Sequence, residues 1–372
     1  MIKLPFEIIR LLWNCGNNRI EHLDGFAKEF CNATFDIVST SPFVIQANNT
    51  NILLTRDEND PSIENYQYAV LTNKKPRKSD IIKGNIISIR WLKHPNFKNL
   101  QPNEIVASWR GKFLYKKENI QESILGLRAP QLGAIYAFMS KAQIHHGRNI
   151  IVMPTGTGKT ETMLSILIAN QCPKVLITVP SDALRDQISN KFLTLGILPE
   201  FGIVASDCNY PIVGVVKEGM DYNGWYTLIE KSNVIITTMP LITNCESAII
   251  DLFKEKISHL FVDEAHHSEA KTWSEFIDSF NDEKVTLFTA TPFRNDNRRL
   301  RGEFIYNFSL KEAQSQGYYK PIKFIPIREY DLAKADKCIA EVAVNQLRSD
   351  LENEYDHIPV SYTHLTLPTK LE

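Results

Sequence analysis

Residues 149–160, which read NIIVMPTGTGKT, restrict the possible folds of this chain more than any other segment. An apolar strand leads into a glycine-containing loop, and the loop opens a helix that begins Gly-Lys-Thr. Gly156 and Gly158 let backbone N–H groups approach an anion without a Cβ in the way, and the helix amino terminus adds partial positive charge. Lys159 can reach the β- and γ-phosphates of a nucleotide, while the hydroxyl of Thr160 can bind Mg²⁺. The segment therefore predicts a phosphate-binding loop between a strand and a helix.

A second polar motif follows an apolar strand at residues 260–267, LFVDEAHH. It delivers Asp263 and Glu264 side by side, where a turn lets both carboxylates face the phosphates. Asp263 would then hold Mg²⁺ through water, and Glu264 would orient or deprotonate the attacking water. Two alternatives are an acidic helix amino terminus stabilised by the helix dipole and a metal site at His266 and His267. No third ligand has a suitable spacing for that metal site, so we favour the nucleotide chemistry.

Residues 126–327 alternate short apolar runs with helical stretches. The runs are NIIVM, KVLITV, VIITT, HLFVDE and VTLFTA. Nearly continuous apolar strands separated by helices are typical of a parallel sheet covered on both faces. Ligands of such sheets bind at the carboxyl ends of the strands, and every motif falls at such an end. We therefore predict an α/β fold, a P-loop NTPase lobe with a parallel sheet sandwiched by helices.

Six segments, in order, resemble the motifs of superfamily 2 helicases of the DEAH and type III restriction-subunit kind. They are LRAPQ at 127–131, MPTGTGKT at 153–160, TVPSDALRDQ at 178–187, ITTMPL at 236–241, VDEAHH at 262–267 and FTATPFR at 288–294. The resemblance covers roughly residues 125–330 and implies the first RecA-like lobe of an ATP- and Mg²⁺-dependent motor. Met153 departs from the general loop pattern, which has glycine there, but helicase-type loops accept an apolar residue before Pro-Thr-Gly.

The resemblance implies a role for each matched position. The catalytic residues are Lys159, Asp263, Glu264 and His266. The nucleotide-binding residues are Arg128, Gln131, Pro154, Thr155, Gly156, Thr157, Gly158, Lys159, Thr160 and Glu161, with Thr160 and Asp263 holding Mg²⁺. Gln131 would pair with an adenine edge, and Thr289 and Thr291 would couple the ATP state to nucleic-acid contact through His266.

The resemblance also implies contact with the backbone of one nucleic-acid strand. The residues are Pro180, Ser181, Arg185, Thr237 and Thr238. For Arg185 the alternative is an ordinary helix-face charge, and for the threonines it is strand propensity. Phosphate contacts of this kind position a strand without reading its sequence.

We expect residues 1–122 to form a smaller mixed α/β accessory domain, residues 123–328 the ATP-binding lobe, and the first sixteen residues a structural helix. Residues 74–117 carry twelve Lys or Arg against two acidic residues, a net charge of +10. Aromatic residues interleave with these charges, namely Trp91, Phe97, Trp109, Phe113 and Tyr115. Such a region could neutralise phosphates and stack bases, or be an antiparallel sheet with core aromatics and solvated lysines.

After residue 328 the sequence predicts a linker, residues 329–359, with one amphipathic helix, DLAKADKCIAEVAVNQLRSDLENEY. We interpret residues 360–372, which include VSYTHLTLPT, as a translated sequencing adapter; the alternative is an authentic polar tail. We expect the gene to continue into a second lobe. Because that lobe supplies the arginine finger in such motors, we expect weak ATP binding, little turnover and no unwinding from this chain alone.

The composition, 43% apolar and 23% charged, is that of a globular protein, and no apolar run approaches the length of a membrane span. Six scattered cysteines suggest neither a zinc site nor disulfides, which fits the cytoplasm.

We therefore expect an ATP-dependent helicase or translocase motor acting on nucleic acid, with DNA favoured over RNA. The alternative is the motor subunit of a restriction-type or phage-defence nuclease complex, with a nuclease or other defence or repair subunit as partner. A regulator that only binds nucleotide is disfavoured because it would not need the water-orienting Glu264.

Overall fold

The structure is a computed structural model that describes residues 2–31, 33–141, 147–265, 271–291, 300–319, 326 and 331–353. Internal contacts divide the chain into two units, Met1–Tyr319 and Lys320–Glu372. The described part of the second unit is mainly one helix, α11 (Leu332–Glu352), within the amphipathic segment that predicted it. Residues 360–372 lie outside the described residues.

The amino-terminal segment is a β-hairpin, and the predicted helix is wrong. Strand β1 (Glu7–Cys15) pairs antiparallel with β2 (Asn18–Phe26). Gly16 between them has φ +58°, a conformation that glycine adopts readily. Ile8 and Ile9, being β-branched, suit a strand better than a helix.

A five-stranded sheet follows, with one short helix before its last strand. Its elements are β3 (Asp36–Thr40), β4 (Phe43–Ala47), β5 (Thr50–Thr55), β6 (Tyr68–Thr72), α1 (Lys78–Ile82) and β7 (Ser88–Lys93). The strands lie in chain order, and all pairs are antiparallel except β5 with β6. One face buries Ile45, Ile52, Val70 and Trp91. The sheet therefore has a core of its own.

The aromatic residues of the basic region divide between core and surface. Trp91 and Trp109 are each 1% exposed, whereas Tyr115 is 42% exposed. The indole of Trp109 donates to the carbonyl of Asn209, which fixes helix α2 (Pro102–Ser108) to the body of the unit. The two tryptophans therefore have a core role and do not present a surface for base stacking.

The remaining elements of the first unit alternate helices and strands. They are α3 (Ala129–Lys141), β8 (Asn149–Val152), α4 (Lys159–Ala169), β9 (Val175–Val179), α5 (Asp182–Thr194), β10 (Ile212–Val215), α6 (Tyr222–Lys231), β11 (Val234–Thr238), α7 (Met239–Thr243), α8 (Ser247–Lys256), β12 (His259–Val262), α9 (Lys271–Ser279), β13 (Val285–Thr289), β14 (Glu303–Asn307) and α10 (Leu310–Ser315).

Seven of these strands form a parallel sheet in the order β10-β11-β9-β12-β13-β8-β14. Two groups of helices pack around it: α4 lies between α3 and α5, while α6 contacts α8 and α7 contacts α9. The predicted α/β fold with a parallel sheet covered by helices is confirmed, and the structure adds a second, smaller sheet. Each predicted strand run is present, in β8, β9, β11, β12 and β13.

The amino-terminal hairpin continues the large sheet, because β2 pairs antiparallel with β10. Ile20 and Leu23 of β2, and Ile105 and Trp109 in and just after α2, belong to the large hydrophobic core. The side-chain oxygen of Asn18 accepts hydrogen bonds from the amides of residues 217 and 218, just after β10. The division at residues 122 and 123 stays a prediction, and the hairpin shares a core with the lobe.

Among the described residues, no helix has the length and apolarity needed to cross a membrane.

His259 at the start of β12 is held as a neutral ring. Its Nε2 lies 3.3 Å from the side-chain amide of Asn170, and its Nδ1 lies 3.0 Å from the hydroxyl of Ser258. Because that hydroxyl donates to the carbonyl of Lys174, Nδ1 is the donor and Nε2 the acceptor. Burial, with a smaller contribution from Lys284, lowers the pKa of His259 to about 4.

We predict that His259 makes the fold acid-sensitive. A depressed histidine pKa means that the unfolded chain binds the proton first, so this contribution is complete above about pH 6.5 and is lost toward about pH 4. The loss is about 2–3 kcal/mol at pH 4.5. His259→Gln, whose amide can both donate and accept, should show a smaller fall in the free energy of unfolding between pH 7 and pH 4.5 in urea titrations. Equal pH dependence of the two proteins would contradict this.

Candidate functional site

A cavity of about 820 Å³ lies where β8 and β12 end. Ten of the residues predicted from the sequence line it, namely Arg128, Gln131, Thr155, Gly156, Gly158, Lys159, Thr160, Glu161, Asp263 and Glu264. Because β8, β13 and β12 are parallel neighbours, their carboxyl ends meet at one edge of the sheet. The fold thus brings together residues that are more than a hundred positions apart in the chain.

The loop that follows β8 has the backbone of an anion cradle. Gly156 and Gly158 have φ of +82° and +96°, and a Cβ at Gly158 would lie 2.0 Å from the side-chain nitrogen of Gln131. Thr157 is buried, and both its amide and its hydroxyl donate to the carbonyl of Pro154, so these two residues shape the turn. The first amides of α4, which begins at Lys159, have no intrahelical partner. A triphosphate fits this arrangement because its oxygens would accept from those amides.

Met153 lies under the loop and explains how the departure from glycine is tolerated. The side chain is fully buried, and the hydroxyl of Thr162 lies 3.7 Å from its sulfur. The amide of Met153 donates to the carbonyl of Thr289, at 2.9 Å, at the end of β13. In turn the hydroxyl of Thr289 donates to the carbonyl of Thr291. The predicted coupling segment is therefore hydrogen-bonded to the start of the phosphate loop.

Asp263 and Glu264 follow β12 and both line the cavity. Glu264 has φ +50°, and its amide donates to the carboxylate of Asp263 at 3.0 Å. The Nζ of Lys159 lies 2.6 Å from an oxygen of Glu264, in an ion pair of which the lysine side chain is only 9% exposed. Burial raises the pKa of Asp263 to about 6, with Lys159 opposing and the charge of Glu264 adding to the shift. Both predicted carboxylates thus lie beside the loop lysine.

The cavity's donor set suits Mg²⁺ only together with a phosphate. Within the described residues, no group of three or more His, Cys, Asp or Glu side chains could hold a metal ion. Asp263 and Thr160 offer one carboxylate and one hydroxyl, and Mg²⁺ commonly completes such a set with substrate phosphates and water. A divalent cation would also offset the burial of the Asp263 carboxylate. The residues therefore fit Mg²⁺ that arrives with a nucleotide.

Glu161, on the first turn of α4, pairs with a lysine that the sequence did not single out. Its carboxylate lies 2.6 Å from the Nζ of Lys191 on α5, and its side chain is 11% exposed. An uncompensated carboxylate here would repel a triphosphate. Lys191 neutralises it.

Gln131 and Arg128 connect the start of α3 to the loop. The side-chain oxygen of Gln131 accepts from the amide of Arg128 at 2.8 Å, and its nitrogen lies 3.4 Å from the carbonyl of Gly158. The guanidinium of Arg128 donates to the carbonyl of Gly156 at 2.9 Å. An amide side chain has two donor hydrogens and two acceptor lone pairs, so Gln131 keeps one of each for a ligand.

Part of the cavity, here called the apolar half, has an apolar lining that the sequence did not indicate. Its side chains come from the turn before α3, from α5 and from the segment after α5, and are Ile120, Ile124, Leu125, Leu184, Ile188, Ile197 and Phe201. Ile120 is 79% exposed and Leu125 51% exposed. Binding sites for bases are largely apolar, so this half suits the base of a nucleotide whose phosphates lie at the loop.

Four of the five predicted nucleic-acid residues lie at or just after the carboxyl ends of β9 and β11, which are next to each other in the sheet; Arg185 lies on α5. Ser181 is exposed, and its hydroxyl caps α5 by accepting from the amide of Leu184. Thr237 is fully buried and Thr238 is 7% exposed. Pro180 is half-buried between β9 and Ser181. Their place in the sheet puts them at the same edge as the cavity.

Arg185 has two carboxylate partners inside the chain. Its guanidinium lies 2.5 Å from Asp182 and 3.2 Å from Asp186, and its side chain is 4% exposed. Lys217 also pairs with Asp186. A phosphate contact by Arg185 would require these pairs to open, so this geometry favours a structural role for its charge. His266, predicted to be catalytic, lies outside the described residues.

The glycine loop after β8, its buried lysine and the two carboxylates after β12 define a P-loop NTPase lobe. Residues 124–294 match the family model of the type III restriction enzyme, res subunit. The resemblance to superfamily 2 helicases seen in the six motifs is therefore confirmed for this segment.

Individual proteins are also similar to this chain. The chain is 28% identical over 218 residues to a candidate helicase, number 22, of the Sulfolobus islandicus filamentous virus (isolate Iceland/Hveragerdi), covering 56% of this chain and 36% of the viral protein. It is also similar to the Hef helicase domain of Pyrococcus furiosus, at 23% identity over 59% of this chain and 46% of that one, with a TM-score of 0.36.

A second solved structure is a nuclease-deletion mutant of the Type ISP restriction-modification enzyme LlaGI in complex with a DNA substrate mimic. It is 20% identical over 61% of this chain and 23% of its own, with a TM-score of 0.37. The chain thus spans less than half the length of each of these relatives. At such TM-scores the fold assignment depends on the strand order and the site geometry, not on the superpositions.

We predict that Asp263→Asn stabilises the protein in the absence of nucleotide and Mg²⁺. A raised carboxyl pKa means that the folded state favours the neutral form, so stability falls as pH rises from about 4 to about 6 and is level above that. At pH 8 the variant should gain up to about 3 kcal/mol in the free energy of unfolding, and much less at pH 4.5. Urea titrations in EDTA measure this. Asp251→Asn, at a side chain 68% exposed, is the control. A less stable Asp263→Asn protein at pH 8 would contradict the burial argument.

Proposed function

We propose that this chain carries the ATP-binding and ATP-hydrolysing lobe of a motor that moves on nucleic acid, DNA in preference to RNA, in the cytoplasm. The observation that carries the proposal is the meeting of Lys159, Glu264 and Asp263 with the glycine loop in one cavity. A protein that only binds nucleotide has no need for a second carboxylate beside the loop lysine.

The residues divide the chemistry among them. The loop amides and Lys159 bind and neutralise the β- and γ-phosphates, and Thr160 with Asp263 would hold Mg²⁺. Bound Mg²⁺ would add further charge neutralisation on the phosphates. Glu264 orients water and takes its proton. The apolar half of the cavity excludes water from the base.

In the Lys159–Glu264 ion pair, the carboxylate of Glu264 competes with nucleotide phosphates for the ammonium group of Lys159. At 2.6 Å the two charges neutralise each other in a site of low exposure. When phosphates bind, the ammonium group gains a more highly charged partner, so Lys159 no longer neutralises the carboxylate of Glu264, which acts as the base. The same ion pair therefore keeps both charges compensated without nucleotide and makes the base available with it.

Nucleic-acid binding is supported by the position of motif residues at one sheet edge. Ser181 and Thr238 lie at the ends of β9 and β11, and the amide hydrogen bond from Met153 to Thr289 joins that edge to the loop. Hydroxyl groups at such positions bind phosphates and fix the register of a strand. DNA is favoured because the matched family model describes a restriction-enzyme subunit.

The same match favours a second candidate, the motor subunit of a restriction-type or phage-defence nuclease complex. In that case this lobe moves DNA and another domain or subunit cuts it. Endonuclease assays on the purified native complex, with ATP and with Glu264→Gln, would separate the two. ATP-dependent cleavage supports the complex, and unwinding without cleavage supports the helicase.

We predict that changes at Lys159 and Glu264 separate binding from hydrolysis. Lys159→Ala should raise the Kd for ATP at least about tenfold, because the variant cannot make a charge-assisted hydrogen bond to the phosphates. Glu264→Gln should bind ATP as tightly as the wild type or more tightly, since Lys159 loses its competitor. Its single-turnover hydrolysis should fall at least about a hundredfold, as expected when a general base is removed.

Competition with a fluorescent nucleotide gives the first quantity, and radiolabelled ATP with excess protein, with and without DNA, gives the second. Glu255→Gln, whose side chain is 71% exposed on α8, is the matched control. Unchanged ATP affinity in Lys159→Ala, or hydrolysis at the wild-type rate in Glu264→Gln, would remove the basis of the proposal.

We also predict that an exposed basic cluster, residues Lys75, Arg77 and Lys78, adds to nucleic-acid affinity. Neighbouring Lys74 is excluded because it pairs with Asp80 at 2.9 Å. Reversal of all three charges to Glu should weaken binding, and the slope of log K against log salt on duplex DNA should fall by about 0.9 for each phosphate that is no longer neutralised.

The charge-matched control is reversal of Lys334, Lys337 and Arg348, three exposed residues on α11. Binding to DNA and RNA of one sequence, measured in parallel, tests the preference for DNA. Unchanged affinity and an unchanged salt slope would contradict this prediction and show that the cluster is only a solvated surface.

A further inference from the structure

Tyr318 lies just beyond α10, and the backbone holds it in place. Gly317 has φ +78°, and the amide of Tyr318 donates to the carbonyl of Ala313 at 2.9 Å. The ring of Tyr318 packs edge-on against Phe308, with 6.2 Å between the ring centroids. The side chain is half-buried, and these contacts restrict it to one orientation.

The hydroxyl of Tyr318 reaches the start of α3. The hydroxyl of Tyr318 donates to the carboxylate of Glu118 at 3.0 Å and accepts from the amide of Ala129 at 3.2 Å. Burial, followed by the hydrogen bond to Glu118, raises the pKa of Tyr318, so the hydroxyl keeps its proton and stays a donor. Tyr318 therefore joins the turn before α3 to the first residue of that helix.

The same ring supports Arg128. The guanidinium carbon lies 5.6 Å from the ring centroid, a cation–π distance. Arg128 in turn donates to the carbonyl of Gly156, and its own amide donates to Gln131. An arginine side chain has considerable rotamer freedom, so without the ring its position over the loop would be only one of several.

We infer that Tyr318 is a positioning residue of the nucleotide site. It sets nucleobase discrimination by holding the side chain of Arg128 and the adjoining Arg128–Ala129 backbone, whose amide at Arg128 in turn holds Gln131. This inference rests on the proposed function. Gln131 and the apolar residues line the same cavity, so a base bound there can reach the remaining donor and acceptor of Gln131. Adenine and guanine present opposite hydrogen-bonding groups at their six-positions, so a displaced Gln131 loses its ability to distinguish them.

The prediction concerns the ratio of the Kd for GTP to the Kd for ATP. Tyr318→Leu removes the ring and the hydroxyl, and the ratio should fall about three- to tenfold, the range expected when a cation–π interaction and a hydrogen bond are removed. Tyr318→Phe keeps the ring over Arg128 and should retain most of the discrimination. Competition of each nucleotide, with Mg²⁺, against one ribose-labelled fluorescent nucleotide gives both constants on the full chain.

Two further variants distinguish a positioning role of Tyr318 from a general loss of structure. In an Arg128→Ala background, Tyr318→Leu should produce a smaller fall in the ratio than in the wild-type background, because the ring acts through the side chain of Arg128. Tyr136→Leu, at an exposed tyrosine on α3, should leave the ratio unchanged. If Tyr318→Leu does not fold, Tyr318→Met carries the same comparison in both backgrounds, since it also removes the ring from Arg128.

The outcomes separate the two proposals. An unchanged GTP-to-ATP ratio in Tyr318→Leu, or an equal fall in both backgrounds, overturns the inference while wild-type ATP binding leaves the proposed function intact. Equal loss of affinity for both nucleotides also overturns it, since that is what a merely structural role would give. Failure of the wild type to bind either nucleotide overturns both.

Discussion

The ion pair between Lys159 and Glu264 is the interaction on which the site depends. It exists because β8, β13 and β12 run parallel as neighbours, so the loop after the first and the turn after the last meet at one edge. Buried charges are stable only when paired, and this pair joins the two motifs before any ligand arrives. A nucleotide then binds where charges are already directed toward it.

Several features that are unfavourable for stability lie at this edge of the sheet. Glu264 adopts a left-handed backbone, the Asp263 carboxylate is buried enough to raise its pKa to about 6, and Gly158 leaves no room for a Cβ. None of these features improves packing, and each places a charged or amide group against the cavity. Strain of this kind at a cavity is expected of a functional site, with the sheet beneath supplying the stability.

The sequence predicted the chemistry at the strand ends and much less of what surrounds it. A strand, a glycine loop and Gly-Lys-Thr are contiguous, so local rules were enough for Lys159. The apolar wall of Ile124, Leu184 and Phe201 comes from three separated segments and has no periodic signal. The same is true of Tyr318, which contacts Glu118 across 200 positions. The amino-terminal hairpin was mistaken for a helix because a short apolar run fits both periods, and only its pairing with β10 decides between them.

The most direct test of this account is a structure with a non-hydrolysable ATP analogue and Mg²⁺. The account predicts phosphates at the amides of residues 156–160, the base in the apolar half, and the Nζ of Lys159 on a phosphate oxygen instead of on Glu264. An analogue bound elsewhere, or Lys159 still paired with Glu264 while phosphates occupy the loop, would contradict it.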